Sequence, residues 1–478
     1  PGLRAALAAC AAAAAAGEQG HHWPRTRGHP GEYMTSNHTI PFDLSAAFAW
    51  SWTSPKGRFS TTMRGSPLID KDMNVIILTE QALYKLSPDG KLLWSYTPPT
   101  KGFLNHVPSI MDGHVYGQAS DATAYKVDLA TGKEVWARKH DWATGSDTPY
   151  VEAYDGKVLL CTDAGLLWGG GCLRVLSLNA TDGAVAWEYK MERPTWNFSP
   201  LFTSPFDGTF IFMDIMGGVR RMGLHDGRLV WHSTPREADL SFTDGGVSFG
   251  PDHTAYACSN NDGGQLGVLR AYAFEDGALL WRRHLPTGCT SWPAIAKDGS
   301  HGVLAAGGFV TLPVALTAPP FMPFWGKYLL HQFALLMGTK LRHVPGFQWI
   351  TPTRTHVLAF DLRTGRSLWE HWLPEWEKPS ARGDDEGLMP RMLAGLPNTI
   401  CLPTSFSATT LSGDGTAYVG HVSGVLYAVK DADGDGYIDA AREVRTFDIL
   451  ASPLPNNAAW APGMMAFASC DTLWVFKR

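Results

Sequence analysis

The sequence is short of net charge: 40 Lys and Arg face 45 Asp and Glu, leaving a formal charge of -5 and a pI near 6.4. Binding a phosphate backbone needs a basic field, so nucleic acid is excluded as a partner. Cysteine is sparse too. The seven, at 10, 161, 172, 258, 289, 401 and 470, include no CxxC pair, which removes zinc ribbons and CxxC redox chemistry. The histidines, His21, His22, His140 and His253 among them, keep no ligand-like spacing and read as surface residues. Abundant instead are Trp (19), Gly (50) and Pro (32), with aromatic residues at 12%. That mixture suits many short strands joined by tight turns, so an all-β fold is expected.

The first 20 residues stand apart. Arg4 leads into an Ala-rich stretch from Ala5 to Ala16, which reads as an export signal that has lost its beginning; residues 21–47 form an extension ahead of the first strand. Two alternatives stay open. One is a low-complexity Ala tail; the other is a bacterial lipobox, Leu7-Ala8-Ala9-Cys10, with Cys10 lipidated in the envelope. Three sequons, beginning at Asn37, Asn179 and Asn197, fit a secreted or lumenal glycoprotein, although Pro200 weakens the last. An oxidising compartment permits Cys161 to pair with Cys172, and buried free thiols account for these residues equally well.

One motif recurs along the chain. A turn Gly followed four positions later by Trp occurs at Gly90/Trp94, Gly132/Trp136, Gly183/Trp187, Gly227/Trp231, Gly277/Trp281 and Gly365/Trp369. Asp-Gly or Thr-Gly supplies the positive φ of a tight hairpin, and the next strand delivers a Trp into the packing between sheets. Other strand signals keep a fixed order around it. Ser-Pro or a similar pair opens an inner strand, as at Ser66-Pro67, Ser199-Pro200 and Ser452-Pro453. A third strand reads Leu83–Leu86 in the first unit and recurs to Leu473–Phe476 in the last, eight times in all. The last unit has no fourth strand, whereas Phe48-Ala49-Trp50-Ser51-Trp52 has the alternation of one with nothing before it. The expectation is a single eight-bladed β-propeller over residues 48–478, made of four-stranded antiparallel blades and closed by that N-terminal strand.

These repeats resemble the pyrroloquinoline-quinone-like (PQQ-like) family, whose docking pattern is Ala-x-Asp-x-x-Thr-Gly-x-x-x-Trp. Ala359, Asp361, Thr364, Gly365 and Trp369 fit it fully, and Asp128, Thr131, Gly132 and Trp136 fit apart from the Ala. The resemblance implies the propeller and leaves two functions open, because the scaffold hosts dehydrogenases and non-enzymatic assembly proteins alike. A dehydrogenase of this family stacks a quinone over the channel beside calcium, with an Asp as base. The adjacent Cys pair common in its alcohol dehydrogenases is missing here, and no catalytic Asp stands out. The expectation is therefore a monomeric scaffold, without PQQ and without catalysis.

Two departures from the repeat carry the remaining signals. Asp431, Asp433, Asp435 and Asp439 have the spacing of a calcium loop, with Gly436 at the turn, the Tyr437 carbonyl adding a backbone oxygen, and Glu443 as an extra ligand if the loop bulges. Arg442 occupies the twelfth position and no helix precedes, so this is no EF-hand; a structural calcium site is expected, against a solvated acidic hairpin. The second departure is an apolar, partly helical insertion at 309–350 between the second and third strands of the sixth blade. Prolines break its first half, Tyr328–Met337 reads as a short helix, and neither part is long enough to span a membrane. It is expected to be a lid on the ring, or to meet a protein partner or a membrane surface. A smaller acidic insertion, 375–398, reads as a mobile loop on the same side or on the rim.

Overall fold

The computed structural model describes residues 20–31, 34–145, 149–163, 171–204, 207–236, 243, 246–261, 266–310, 321–339, 344, 352–378, 380–394, 396, 401, 404–454 and 457–478. The Ala-rich start, Cys10 included, lies outside them. Eight four-stranded antiparallel sheets are the blades. In the first, the chain runs from the inner strand Leu68–Ile69 through Val75–Leu78 and Leu83–Leu86 to the outer strand Leu92–Tyr96. Blades two to seven repeat that order. The eighth takes Ala459–Ala461, Met464–Ala468 and Thr472–Lys477 from the C-terminal end, and its outer strand is Phe48–Thr53, with Trp50 opposite Val475 and Trp52 opposite Leu473. Pairing the N-terminal strand with the C-terminal three thereby closes the ring and leaves only the short edges of the separate blades.

The Gly and Trp of the repeat meet across blades. Trp94 lies on Gly132 of the next blade, where an added Cβ would sit 2.7 Å from the ring at a φ of +71°, so only glycine serves. The indole Nε1 of Trp94 donates to Leu129 O at 3.1 Å, and Trp50, Trp136, Trp187, Trp231 and Trp281 make the matching bond one blade further on. The core follows the same logic and is a ring of layers between neighbouring blades. Leu68, Ile76, Leu78 and Leu83 of the first blade, for example, pack on Ile110, Val115, Tyr125 and Val127 of the second.

Antiparallel order also fixes which turns share a face. Turns between the first and second strands, and between the third and fourth, lie on what we term the lower face. Turns between the second and third strands, together with the blade-to-blade connections, lie on the upper face.

Three expectations change. The inner strand of the eighth blade is Ala459–Ala461, and Ser452-Pro453 lies on the connection before it, where Pro453 bridges Ser469. The helix of the large insertion extends over Phe324–Thr339, beyond the ten residues anticipated. The 375–398 insertion contains a helix, Asp384–Leu393, and is pinned to the ring by Arg391, whose Nη2 lies 3.1 Å from Glu80 Oε1 of the first blade.

Candidate functional site

Residues 23–27, 34 and 36 of the N-terminal extension between them reach all eight blades. Trp23 exchanges two 2.9 Å backbone bonds with Ile69 of the first blade, and Pro24 O accepts from Ile110 N of the second. The Arg25 guanidinium donates twice to Ala153 O of the third, at 2.8 and 3.1 Å, beside Glu152. Arg27 donates to Ser199 of the fourth and Val247 O of the fifth, and its guanidinium lies 4.3 Å over the ring of Trp292, just ahead of the sixth blade's inner strand. Leu411 of the seventh pairs with Met34 and Ser36, and Asn457, beside the eighth blade's inner strand, donates to Thr26 O. One short segment touches eight inner positions only by lying on the axis. It therefore fills the channel, with Trp23 at 1% exposure and Arg25 and Arg27 at 3%. Burial lowers the Arg27 pKa to about 10, with Tyr150 and Glu152 opposing, so the guanidinium stays charged at neutral pH.

The segment enters from the lower face, where the Lys71 amide, in a lower-face turn, donates to His21 Nδ1 at 3.2 Å. There His21, His22, His29 and His38 line a cavity of about 110 Å³. His21 is buried, contrary to the surface reading of the sequence. Burial, with His38 nearby, holds His22 below the usual histidine range.

The acidic loop also lies on the lower face, at the turn between the third and fourth strands of the seventh blade. Asp431, Asp433 and Asp435 each bring a carboxylate oxygen within 4.8 Å of the others, the one such metal-competent group among the described residues. The other candidates are placed differently. The Asp439 carboxylate caps the short helix Ala440–Glu443 and binds Arg442 Nε at 2.7 Å. Glu443 is buried and accepts from the Ala432 and Asp439 amides at 2.7 and 2.8 Å, bracing the loop from below. The loop stands where earlier blades have the Gly turn that receives a Trp. Here Ile438 shares a hydrophobic cluster with Trp369 of the sixth blade.

The upper face carries the insertions and the disulfides. Cys161–Cys172, Cys258–Cys289 and Cys401–Cys470 are bonded, with Cα separations of 5.8, 6.0 and 5.2 Å, each involving an upper-face turn or connection. Burial pushes the Glu80 carboxyl up, but Arg64 and Arg391 outweigh it and hold it below the usual range. Of the sequon residues, Asn37 is exposed; Asn179 is partly covered and accepts from Lys157 Nζ at 2.8 Å, and Asn197 is half-buried.

A family model described as outer membrane protein assembly factor BamB matches residues 47–211, the closing strand and the first three blades with the start of the fourth. Among solved structures, BamB from Moraxella catarrhalis aligns over 90% of this chain and 99% of its own, at 15% identity and a TM-score of 0.55. The fold is that of the PQQ-like repeat propellers. Quinohemoprotein alcohol dehydrogenase from Comamonas testosteroni aligns over 99% of this PQQ-like propeller and 84% of its own chain, at 12% identity and a TM-score of 0.63. A europium-containing methanol dehydrogenase aligns over 98% and 100%, at 12% identity and 0.61. No curated protein matches the chain.

A quinone over the channel would need a free aromatic face with a carboxylate-held cation beside it. Trp292, a buried indole beside the axis, instead meets Arg27, the edge of Tyr150 and the backbone at Gly246. The three-Asp group sits away at the turn of the seventh blade. The described axial residues do not make the arrangement a quinone requires, and no catalytic step is derived through one. Arg25 and Arg27 went unread in the sequence; a bulky Trp-Pro-Arg-Thr-Arg run inside a turn-rich segment is the one signal they leave.

Proposed function

We propose that this PQQ-like propeller is an exported, non-catalytic scaffold that presents its upper face to a partner. The observation that carries the reading is Arg27 seated on Trp292, because the segment filling the channel takes up the aromatic face and the carbonyls that an axial ligand would use. The likeness to an outer membrane protein assembly factor supports a scaffold role. Three disulfides among the described residues support an oxidising destination, secreted or lumenal, and Asn37 is the sequon residue best placed for glycosylation. We assign the loop of Asp431, Asp433 and Asp435 to a structural calcium ion, which needs further oxygens from backbone or water to reach its usual six to eight. The test is to incubate the purified chain with pyrroloquinoline quinone and calcium, then desalt it. No retained chromophore and no dye reduction with alcohols or sugars is expected. A retained quinone with substrate-dependent dye reduction overturns the scaffold reading in favour of a dehydrogenase.

A further inference from the structure

We infer that the upper face docks on an anionic lipid surface through the helix Phe324–Thr339. This rests on the scaffold reading and names the partner. Trp325, Leu329, Phe333 and Leu336 follow at steps of four, four and three, which places them on one side of the helix. All four are exposed, at 66, 57, 51 and 46%, and Phe321 just before them is 89% exposed. Met337, buried at 3%, turns toward the protein. A helix of 16 residues is about 24 Å long, short of the roughly 30 Å hydrocarbon core, so it lies on a bilayer instead of crossing it. On the same face Leu393, on the connection that follows the sixth blade, is 76% exposed, and across the ring, on the connections either side of the second blade, Phe103 and Trp142 are 36 and 55% exposed. Aromatic side chains of this kind settle at headgroup level.

Charge selects the occupant. All 45 acidic residues of the chain lie outside residues 309–350, whereas Lys327, Lys340 and Arg342 lie within it. A stretch with cations and no carboxylate complements anionic headgroups. A second copy would set the same basic insertion against itself, where like charges repel.

The experiment is flotation of the full chain with vesicles of phosphatidylcholine, alone or with phosphatidylserine at about one third. The expected result is co-flotation with the serine-containing vesicles, weakened by salt, and at least about tenfold less of a Trp325→Glu/Phe333→Glu variant with an unchanged melting temperature. Equal flotation of parent and variant overturns the proposal. So does a parent that stays with the soluble fraction, or forms a dimer that the variant abolishes. The outcome is separable from the quinone test: failed flotation leaves the scaffold reading standing, and quinone capture removes that reading whatever the vesicles show.

Discussion

On the lower face of the ring, the chain's own N-terminal segment is drawn into the axis and each cation meets a carbonyl, an aromatic face or a carboxylate. On the upper face, three disulfides tie blade turns and connections, while the insertions leave Trp325, Phe333 and Leu393 in solvent. Buried charge is tolerable only where its hydrogen bonds are made. Apolar surface left bare in a folded chain points to something that covers it. The lower face thus buries its charged groups against the ring, while the upper face leaves bare the apolar surface on which the docking proposal rests.

The largest effect expected from that contrast is at Arg27. Replacing it with Ala strands Val247 O and the Ser199 hydroxyl in a buried channel and uncovers Trp292, at a cost of about 3–5 kcal/mol. The denaturation midpoint measures it. A midpoint within error of the parent would mean that the segment does not hold the axis.

Acid tests the other face. His106, His356 and His421 are buried around its connections and strand ends, and burial pushes their pKa values down to about 3, 4 and 3. Each is neutral in the fold but takes a proton on unfolding below about pH 6.5. The unfolded state then binds more protons, so the stability these groups give is complete above pH 6.5 and is lost as pH falls toward 4, by up to a few kcal/mol together. Melting temperatures between pH 7.5 and 5 check this. Carboxylates alone would hold the midpoint flat until lower pH, so a flat profile down to pH 5 rejects the histidine origin.

A smaller effect belongs to the acidic loop. Calcium at about tenfold its dissociation constant stabilises the folded chain by about 1.4 kcal/mol, and Asp433→Ala is expected to abolish the resulting rise in melting temperature. The same rise in both proteins would dismiss the site.

The parts of this structure that were legible in the sequence are those whose cause is local. Gly132 and Trp136 each announce a turn and a strand, and Phe48 to Trp52 reads as a strand from its own alternation. Ser452-Pro453 misled because a Ser-Pro pair suits a connection as well as a strand start. The axial segment was illegible for a different reason. Arg25 and Arg27 have partners 128, 172 and 220 residues away, and no periodicity within 21–47 records an eightfold set of contacts. At the acidic loop the spacing groups Asp431, Asp433 and Asp435, whose carboxylates the fold brings together, whereas the bonds Glu443 accepts from the Ala432 and Asp439 amides depend on the short helix that follows Asp439 and leave no trace in the spacing.

The smallest expected effect sharpens the contrast most. Trp325→Glu changes a residue that is two-thirds exposed and puts a charge where water already reaches, so stability should move by no more than about 0.5 kcal/mol. Set beside Arg27→Ala, it asks whether size or setting decides the cost, since an indole is the larger loss of apolar surface. A near-zero shift in the denaturation midpoint is what a contact surface predicts. A loss of several kcal/mol would make the helix a part of the core, and the upper face would then be a lid packed on the ring.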